Sequence, residues 1–235
     1  ARRQVLLKEQ PAVPYDLLSI DVGSAPNVGA IAGAGQWAIP VKPIAELGRR
    51  WLEFSERMKS WLGPLNVMVI GGGAGGVELI LSVRSHLLAD ARAEGRGESA
   101  FSFVLVTDGE ILPTHDPKVR ESFRRALAKR GIELHEHEQA RAVSPTAIAL
   151  ESDQTVAADA VLVTTGAAAP PWFRGTGLSL DKDGFLAVGS TRQALNDPDV
   201  FGAGDCVTLT ETPREKAGVY AVRAGPPLAR NLRRR

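Results

Sequence analysis

Residues 66–80 read Asn66-Val-Met-Val-Ile-Gly71-Gly-Gly-Ala-Gly-Gly76-Val-Glu-Leu-Ile80, and the fold turns on this stretch. The unbroken apolar run Val67–Ile70 suits a strand buried on both faces, because a half-buried strand would alternate. Five glycines follow within six residues, and Val77 to about Glu94 then reads as a helix. Gly71-x-Gly73-x-x-Gly76 therefore stands between strand and helix, the setting in which this pattern marks a dinucleotide loop. Gly71 permits the tight turn, Gly73 lets the backbone approach a pyrophosphate, and Gly76 allows close helix–strand packing. The helix start supplies N–H groups and positive dipole to the phosphates. A purely structural turn seldom needs so many glycines.

Working outward, Phe101–Val106 reads as a second buried strand closed by Thr107-Asp-Gly-Glu. An acid ending that strand takes the ribose hydroxyls in this architecture, which points to Asp108. The alternative is a solvated turn aspartate. In the ribose role its charge repels a 2′-phosphate, favouring NAD(H) over NADP(H). Ile44 to about Leu62 has helical apolar spacing, Lys118–Arg130 reads as an amphipathic helix, and Ile132–His135 as a strand. Short pieces over 140–156 look like a meander. Gln4–Lys8 and Tyr15–Asp21 read as strands near the start.

The pattern of the opening then returns. Asp159-Ala-Val-Leu-Val-Thr-Thr-Gly166 echoes Asp16-Leu-Leu-Ser-Ile-Asp-Val-Gly23, each with an Asp seven residues before a Gly. Two matching strand ends around a complete strand–helix–strand unit suggest one domain inserted into another. The expected segments are 1–39, 40–158 and 159–235, the outer two forming one domain. The fold class is α/β.

Composition excludes several function classes. The 235 residues are 44% apolar and 23% charged with a net charge of +1, so bulk electrostatics suggest no nucleic acid or membrane surface as partner. No apolar run approaches the roughly 18 residues of a membrane helix, and no secretory signal is visible. The chain reads as cytoplasmic. Cys206 alone cannot form an internal disulfide, a dithiol relay or a cysteine-based zinc site, and it reads as a small buried residue. His135 and His137 alternate along a strand with no further ligands, so no metal is expected. The basic helix 118–130 has one packed and one charged face.

Three features together carry a resemblance: Gly71-x-Gly73-x-x-Gly76-x-Glu78, Val161-Leu-Val-Thr-Thr-Gly166 and Asp199-Val-Phe-Gly-Ala-Gly-Asp205. In order and spacing they resemble the two-dinucleotide flavoproteins, the pyridine nucleotide-disulfide oxidoreductase superfamily, over nearly the whole chain. The resemblance implies a Rossmann-like NAD(P) domain inserted in an FAD domain. It implies that Asp205, after Gly204, lies on the ribityl chain of FAD. Gly23, Ser24 and Gly166 would line the crossovers between domains. Glu78 would lie near flavin and nicotinamide, or else be a helix-start acid favoured by the dipole.

A closer likeness is to type II NADH dehydrogenase-like proteins. Within these, residues 15–24, 38–44 and 216–228 resemble the flavoprotein module fused to the N-terminus of selenide, water dikinase. That family opens with an FAD glycine loop, which does not stand ahead of Tyr15, so the chain reads as a piece of a longer protein. The implied activity is NAD(P)H-dependent FAD reduction, with electrons passing to a small-molecule acceptor such as a quinone. The alternative is a non-catalytic nucleotide-sensing or docking module. NAD(H) binding without retained FAD is the expectation for this chain. No proton-transfer residue is assigned, and the oligomeric state, a homodimer among the options, stays open.

Overall fold

The computed structural model describes residues 3–235 without Pro26, Ser60 and Leu62 and without the side chains of Ala45 and Lys59. The expected helix end at Leu62 and the turn residue Pro26 thus lie outside the described residues. The chain divides into two compact units. One is the continuous stretch Pro26–Gly166, and the other joins the residues up to Ala25 with Ala167–Arg235.

The first outer segment carries β1 (Gln4–Leu7) and β2 (Gln10–Pro14), an exposed antiparallel hairpin. It also carries β3 (Leu18–Ile20), the part of the expected 15–21 strand that pairs.

The central unit runs α1 (Ala34–Trp37), β4 (Ile39–Pro40), α2 (Ile44–Lys59), β5 (Leu65–Ile70), α3 (Ala74–Ala93), β6 (Phe101–Val106), α4 (Pro117–Lys129) and β7 (Ile132–His135). The meander β8 (Ala140–Val143), β9 (Ala147–Leu150) and β10 (Thr155–Ala157) follows, and β11 (Ala160–Val163) closes the unit. Its main sheet is parallel throughout, in the order β4-β11-β5-β6-β7. Alternation of side chains along each strand divides the core in two. Val67, Val69, Phe103 and Leu105 pack with Phe54 of α2 and with Ile80 and Leu87 of α3. Met68, Ile70, Val104 and Val106 pack with Val143, Ile148 and Leu150 of the meander. Both faces of the sheet are covered, which is why its strands read as unbroken apolar runs. α4 starts on Asp116, whose side chain accepts from Lys118 N–H at 2.8 Å, with Pro117 at the first helical position.

The chain returns through β12 (Leu186–Val188), β13 (Gln193–Ala194), β14 (Asp197–Gly202), β15 (Val207–Leu209) and α5 (Gly218–Arg234). These form a sheet in the order β15-β12-β13-β14-β3 over a core of Ile20, Phe173, Leu186, Val188, Val200 and Cys206.

The structure corrects the expected boundaries. The sequence pattern places the strand at 159–166 in the outer domain, yet β11 lies beside β5 with Ala160 opposite Val67 and Val163 opposite Ile70. Asp159 secures that register: its Oδ2 accepts from Asn66 N at 2.8 Å and Asn66 Nδ2 at 2.9 Å. β4 extends the same sheet by pairing with β11, so residues 27–39 also belong to the central unit. The units therefore change after residues 25 and 166 rather than after 39 and 158. His137 also departs from expectation. β7 ends at His135, and His137 takes φ +58° in the loop that follows.

Cys206 is buried among these apolar side chains, its Sγ 3.2 Å from the carbonyl of Ala203. Burial pushes its thiol up from the usual value. A disulfide reagent is expected to leave the native thiol unmodified near neutral pH and to titrate one equivalent after denaturation. Rapid native labelling would contradict this packing.

Candidate dinucleotide site in the central unit

The glycines of the loop divide by what surrounds them. Gly71 takes φ +123°, and a β-carbon there would lie 2.4 Å from Thr164 Oγ1. At Gly72 it would lie 2.5 Å from Thr107 Oγ1, and at Gly76 only 1.8 Å from the carbonyl oxygen of Gly71. Backbone and side chains already fill these places. Gly73 and Gly75 have nothing within 4 Å. Gly73 opens α3 with no side-chain cap, so first-turn N–H groups remain for an anion.

A second loop, between β6 and α4, holds the first in place. Leu112 N donates to Gly72 O at 2.7 Å, from a backbone in the left-handed region at φ +51°. Ile111 N donates to Glu136 Oε1 at 2.7 Å. Arg124 grips Glu136 through two bonds of 2.8 Å, Nε to Oε2 and Nη2 to Oε1. These bonds to Arg124 hold the Glu136 carboxyl below the usual carboxylate value, against the opposing effect of burial. Arg120 and Arg124 also engage Glu110.

Between these loops lies a cleft of about 230 Å³, at the carboxyl ends of β5, β6 and β11. Ligand crevices of open α/β sheets form at such ends. Gly71, Thr107, Asp108, Glu138, Thr165 and Gly166 line it. Two buried polar atoms among these residues have no partner, Thr165 Oγ1 and Glu138 Oε2. Orphaned buried groups are uncommon, and a cleft with two of them fits a polar ligand. The open space at Gly73 beside a helix start fits a diphosphate. A larger hollow of about 290 Å³ at the amino end of β11 is less suited. Its arginines are engaged, Arg50 on Glu46 and Ala38 O and Arg57 on Asp159 O.

Of the residues expected from sequence, Gly71, Asp108 and Gly166 meet in the cleft, and Gly73 and Gly76 shape the adjoining loop. Asp108 is exposed, and Glu78 stands exposed on α3 and is not among the lining residues. Thr165 and Glu138 are not among the residues expected from sequence: Thr165 stands within the Val161–Gly166 motif without a role of its own there, and Glu138 belongs to no recognisable motif. Their signal is their missing hydrogen bonds.

Gly23, Ser24, Gly204 and Asp205 lie in the other unit. There Gly204 takes φ +75° after β14, and Asp205 borders a cleft of about 40 Å³ with Arg192, Arg214, Lys216 and Tyr220. Burial lowers the Lys216 pKa, while Asp181 and Asp205 oppose that shift. Lys216 Nζ donates to Val207 O, and to Thr208 Oγ1 at 3.0 Å. Among the described residues no three His, Cys, Asp or Glu side chains gather to hold a metal, and no helix is long and apolar enough to cross a membrane.

Comparison with known proteins agrees with this architecture. The chain is 28% identical over 247 residues to an NADH dehydrogenase-like protein of Mycobacterium tuberculosis, covering 97% of this chain and 57% of that one. It is 24% identical over 225 residues to a type II NADH:quinone oxidoreductase of Haemophilus influenzae, covering 85% and 50%. The crystal structure of an FAD-dependent pyridine nucleotide-disulphide oxidoreductase from Desulfovibrio vulgaris superposes with a TM-score of 0.71 at 25% identity, covering 96% and 56%. The chain spans about half the length of the curated relatives it matches. The sequence profile of one family matches residues 1–230, nearly end to end. The chain belongs to the pyridine nucleotide-disulphide oxidoreductase family.

Proposed function

We propose that the chain is the nicotinamide-nucleotide-binding part of an NAD(P)H-dependent flavin oxidoreductase. The carrying observation is the 230 Å³ cleft, lined by Gly71 at the start of the glycine loop and by two side chains with unpartnered buried polar atoms, Thr165 and Glu138. In this reading the α3 N–H groups and the Gly73 backbone take the pyrophosphate, and Asp108 takes the adenosine ribose. Gly166 backs the other half of the ligand. Asp205 would hold the flavin ribityl chain in the assembled protein. When bound, the nicotinamide supplies a hydride and the flavin accepts it; the chain's own residues orient both and exclude water. A quinone relative among the matches supports a small-molecule electron acceptor for the parent protein. The likeness of residues 15–24, 38–44 and 216–228 to the selenide, water dikinase fusion module supports a role near selenium metabolism.

Isothermal titration of the chain tests this reading. NADH is expected to bind at least roughly tenfold tighter than NADPH, since about 1.4 kcal/mol of repulsion at Asp108 gives that factor. Asp108→Ser should close most of the gap by improving NADPH binding. Failure to bind either nucleotide would overturn the proposal. The purified chain is expected to lack flavin absorbance, because only residues 71–76 form a dinucleotide loop of this kind in its sequence. A yellow protein with stoichiometric flavin would contradict that.

A further inference from the structure

We propose that Glu138 reads the base of the bound nucleotide, accepting a hydrogen bond from the exocyclic amino group of adenine. The assignment rests on NAD(H) occupying the central cleft.

The backbone delivers this side chain by an unusual path. β7 stops at His135, and His137 adopts a left-handed φ of +58°, rare for a residue with a side chain. The reversal sets His137 N on Gly109 O at 3.2 Å and Glu138 N on Thr107 O at 2.9 Å. Glu138 is thereby laid against the carboxyl end of β6, beside Asp108. Its side chain lines the cleft, and its Oε2 is buried without a donor.

The contrast with Glu136, two residues earlier, is informative. Glu136 has the Ile111 N–H and both bonds of Arg124, so the nearby guanidinium is already committed. Arg120 is bound to Glu110 through Nη1, and its own buried Nε makes no bond to Glu138 or to any other acceptor. Nothing comparable serves Glu138 Oε2. A carboxylate only accepts, so the missing partner is a donor. The terminal torsion of glutamate is broad and roughly two-fold, and either oxygen can be turned toward the cleft.

The sheet order says which donor. With the diphosphate on the loop after β5 and the ribose at Asp108 after β6, the base lies toward the end of β7. The phosphates present acceptors and would be repelled, and the ribose hydroxyls face Asp108. The adenine amino group is the donor left over. Thr165 Oγ1 lies after β11, on the other side of β5, and serves the opposite half of the ligand.

The test is titration calorimetry of the 235-residue chain with NADH and with reduced nicotinamide hypoxanthine dinucleotide, in which a carbonyl acceptor replaces the amino donor. A site built to hydrogen-bond one group rejects the analogue lacking it. The wild-type chain is expected to bind the hypoxanthine form at least roughly tenfold more weakly than NADH. Glu138→Gln can donate to that carbonyl and should bring the two affinities within about threefold, with Glu138→Ala reporting the same loss of preference. Thermal unfolding of each variant establishes that it is folded. Equal wild-type affinities, or a preference unchanged in Glu138→Gln, would overturn base reading while NADH binding itself persists. Binding of neither dinucleotide would remove the proposed function and this inference together.

Discussion

Replacing Gly76 by alanine is expected to destabilise the central unit by about 3 kcal/mol or more, whereas the same change at Gly73 leaves stability near wild type and removes nucleotide binding. At position 76 the new methyl would lie 1.8 Å from Gly71 O and 2.9 Å from both Gly71 C and Thr164 Oγ1. Two of these atoms are backbone, fixed by Gly71 N–H on Val106 O at 2.8 Å and by the β5–β11 register. They cannot yield as a flexible side chain could. For a chain of this size the loss corresponds to a melting temperature lower by roughly 6–12 °C. Gly73 has φ −67° and ψ 174°, which alanine adopts freely, and nothing lies within 4 Å. Its methyl would intrude only where a diphosphate approaches, and NADH affinity should fall at least roughly a hundredfold, the equivalent of about 2.7 kcal/mol. Thermal unfolding and calorimetry on both variants decide the matter. Undiminished binding by Gly73→Ala would show that the open space is not the phosphate site.

Arg124→Ala should destabilise the chain by about 2 kcal/mol at neutral pH, the scale of a lost hydrogen-bonded charge partner. It removes two bonds of 2.8 Å from Glu136, whose other partner is the Ile111 N–H of the loop that pins Gly72. The sign of the pH dependence follows from the depressed Glu136 pKa. A carboxyl whose folded pKa lies below its ordinary 4.5 contributes its stability above that ordinary value. The contribution is lost as pH falls through the folded value. The gap in melting temperature between wild type and Arg124→Ala, roughly 4–8 °C at neutral pH, should therefore shrink on acidification below about 4.5. A gap independent of pH would mean that Arg124 acts through packing alone.

The path from β5 through the glycine loop to α3 was legible in the sequence because each part depends on its neighbours in the chain. The buried run announces the strand, and the glycines announce the turn. β11 shows where such reading stops. Asp159–Gly166 and Asp16–Gly23 share a local pattern, but the strands end in different sheets, one beside β5 and the other beside β14. A strand buried on both faces has no alternation to reveal its partner. What decides the pairing is Asp159 on Asn66, a contact across 93 residues. α5 ran against propensity as well, continuing through Pro226 and Pro227 while burying Ala224 and Leu228 against Phe201 and Ala203. In the site, Asp108 was legible from its place after the second strand. Glu138 was not, since an acid in a loop looks solvated until the turn at His137 sets it against Thr107.

The paired crossings between the units bear on how the chain folds during synthesis. β3 must find β14, and Leu18 lies opposite Val200, so the contact encloses about three quarters of the chain. The central unit is continuous and can form first. Once formed, it brings its two ends together, with Asn27 N–H on Thr165 O at 3.1 Å. The loop left to close then shrinks to roughly 40 residues, and its entropic cost falls by about 1 kcal/mol. Ala25 and Ala168, which exchange backbone hydrogen bonds of 3.1 and 2.6 Å, are the next rung of that closure. Formed first, the insertion would act as a folding template for its host, gathering two distant halves of a sheet into a short, local search.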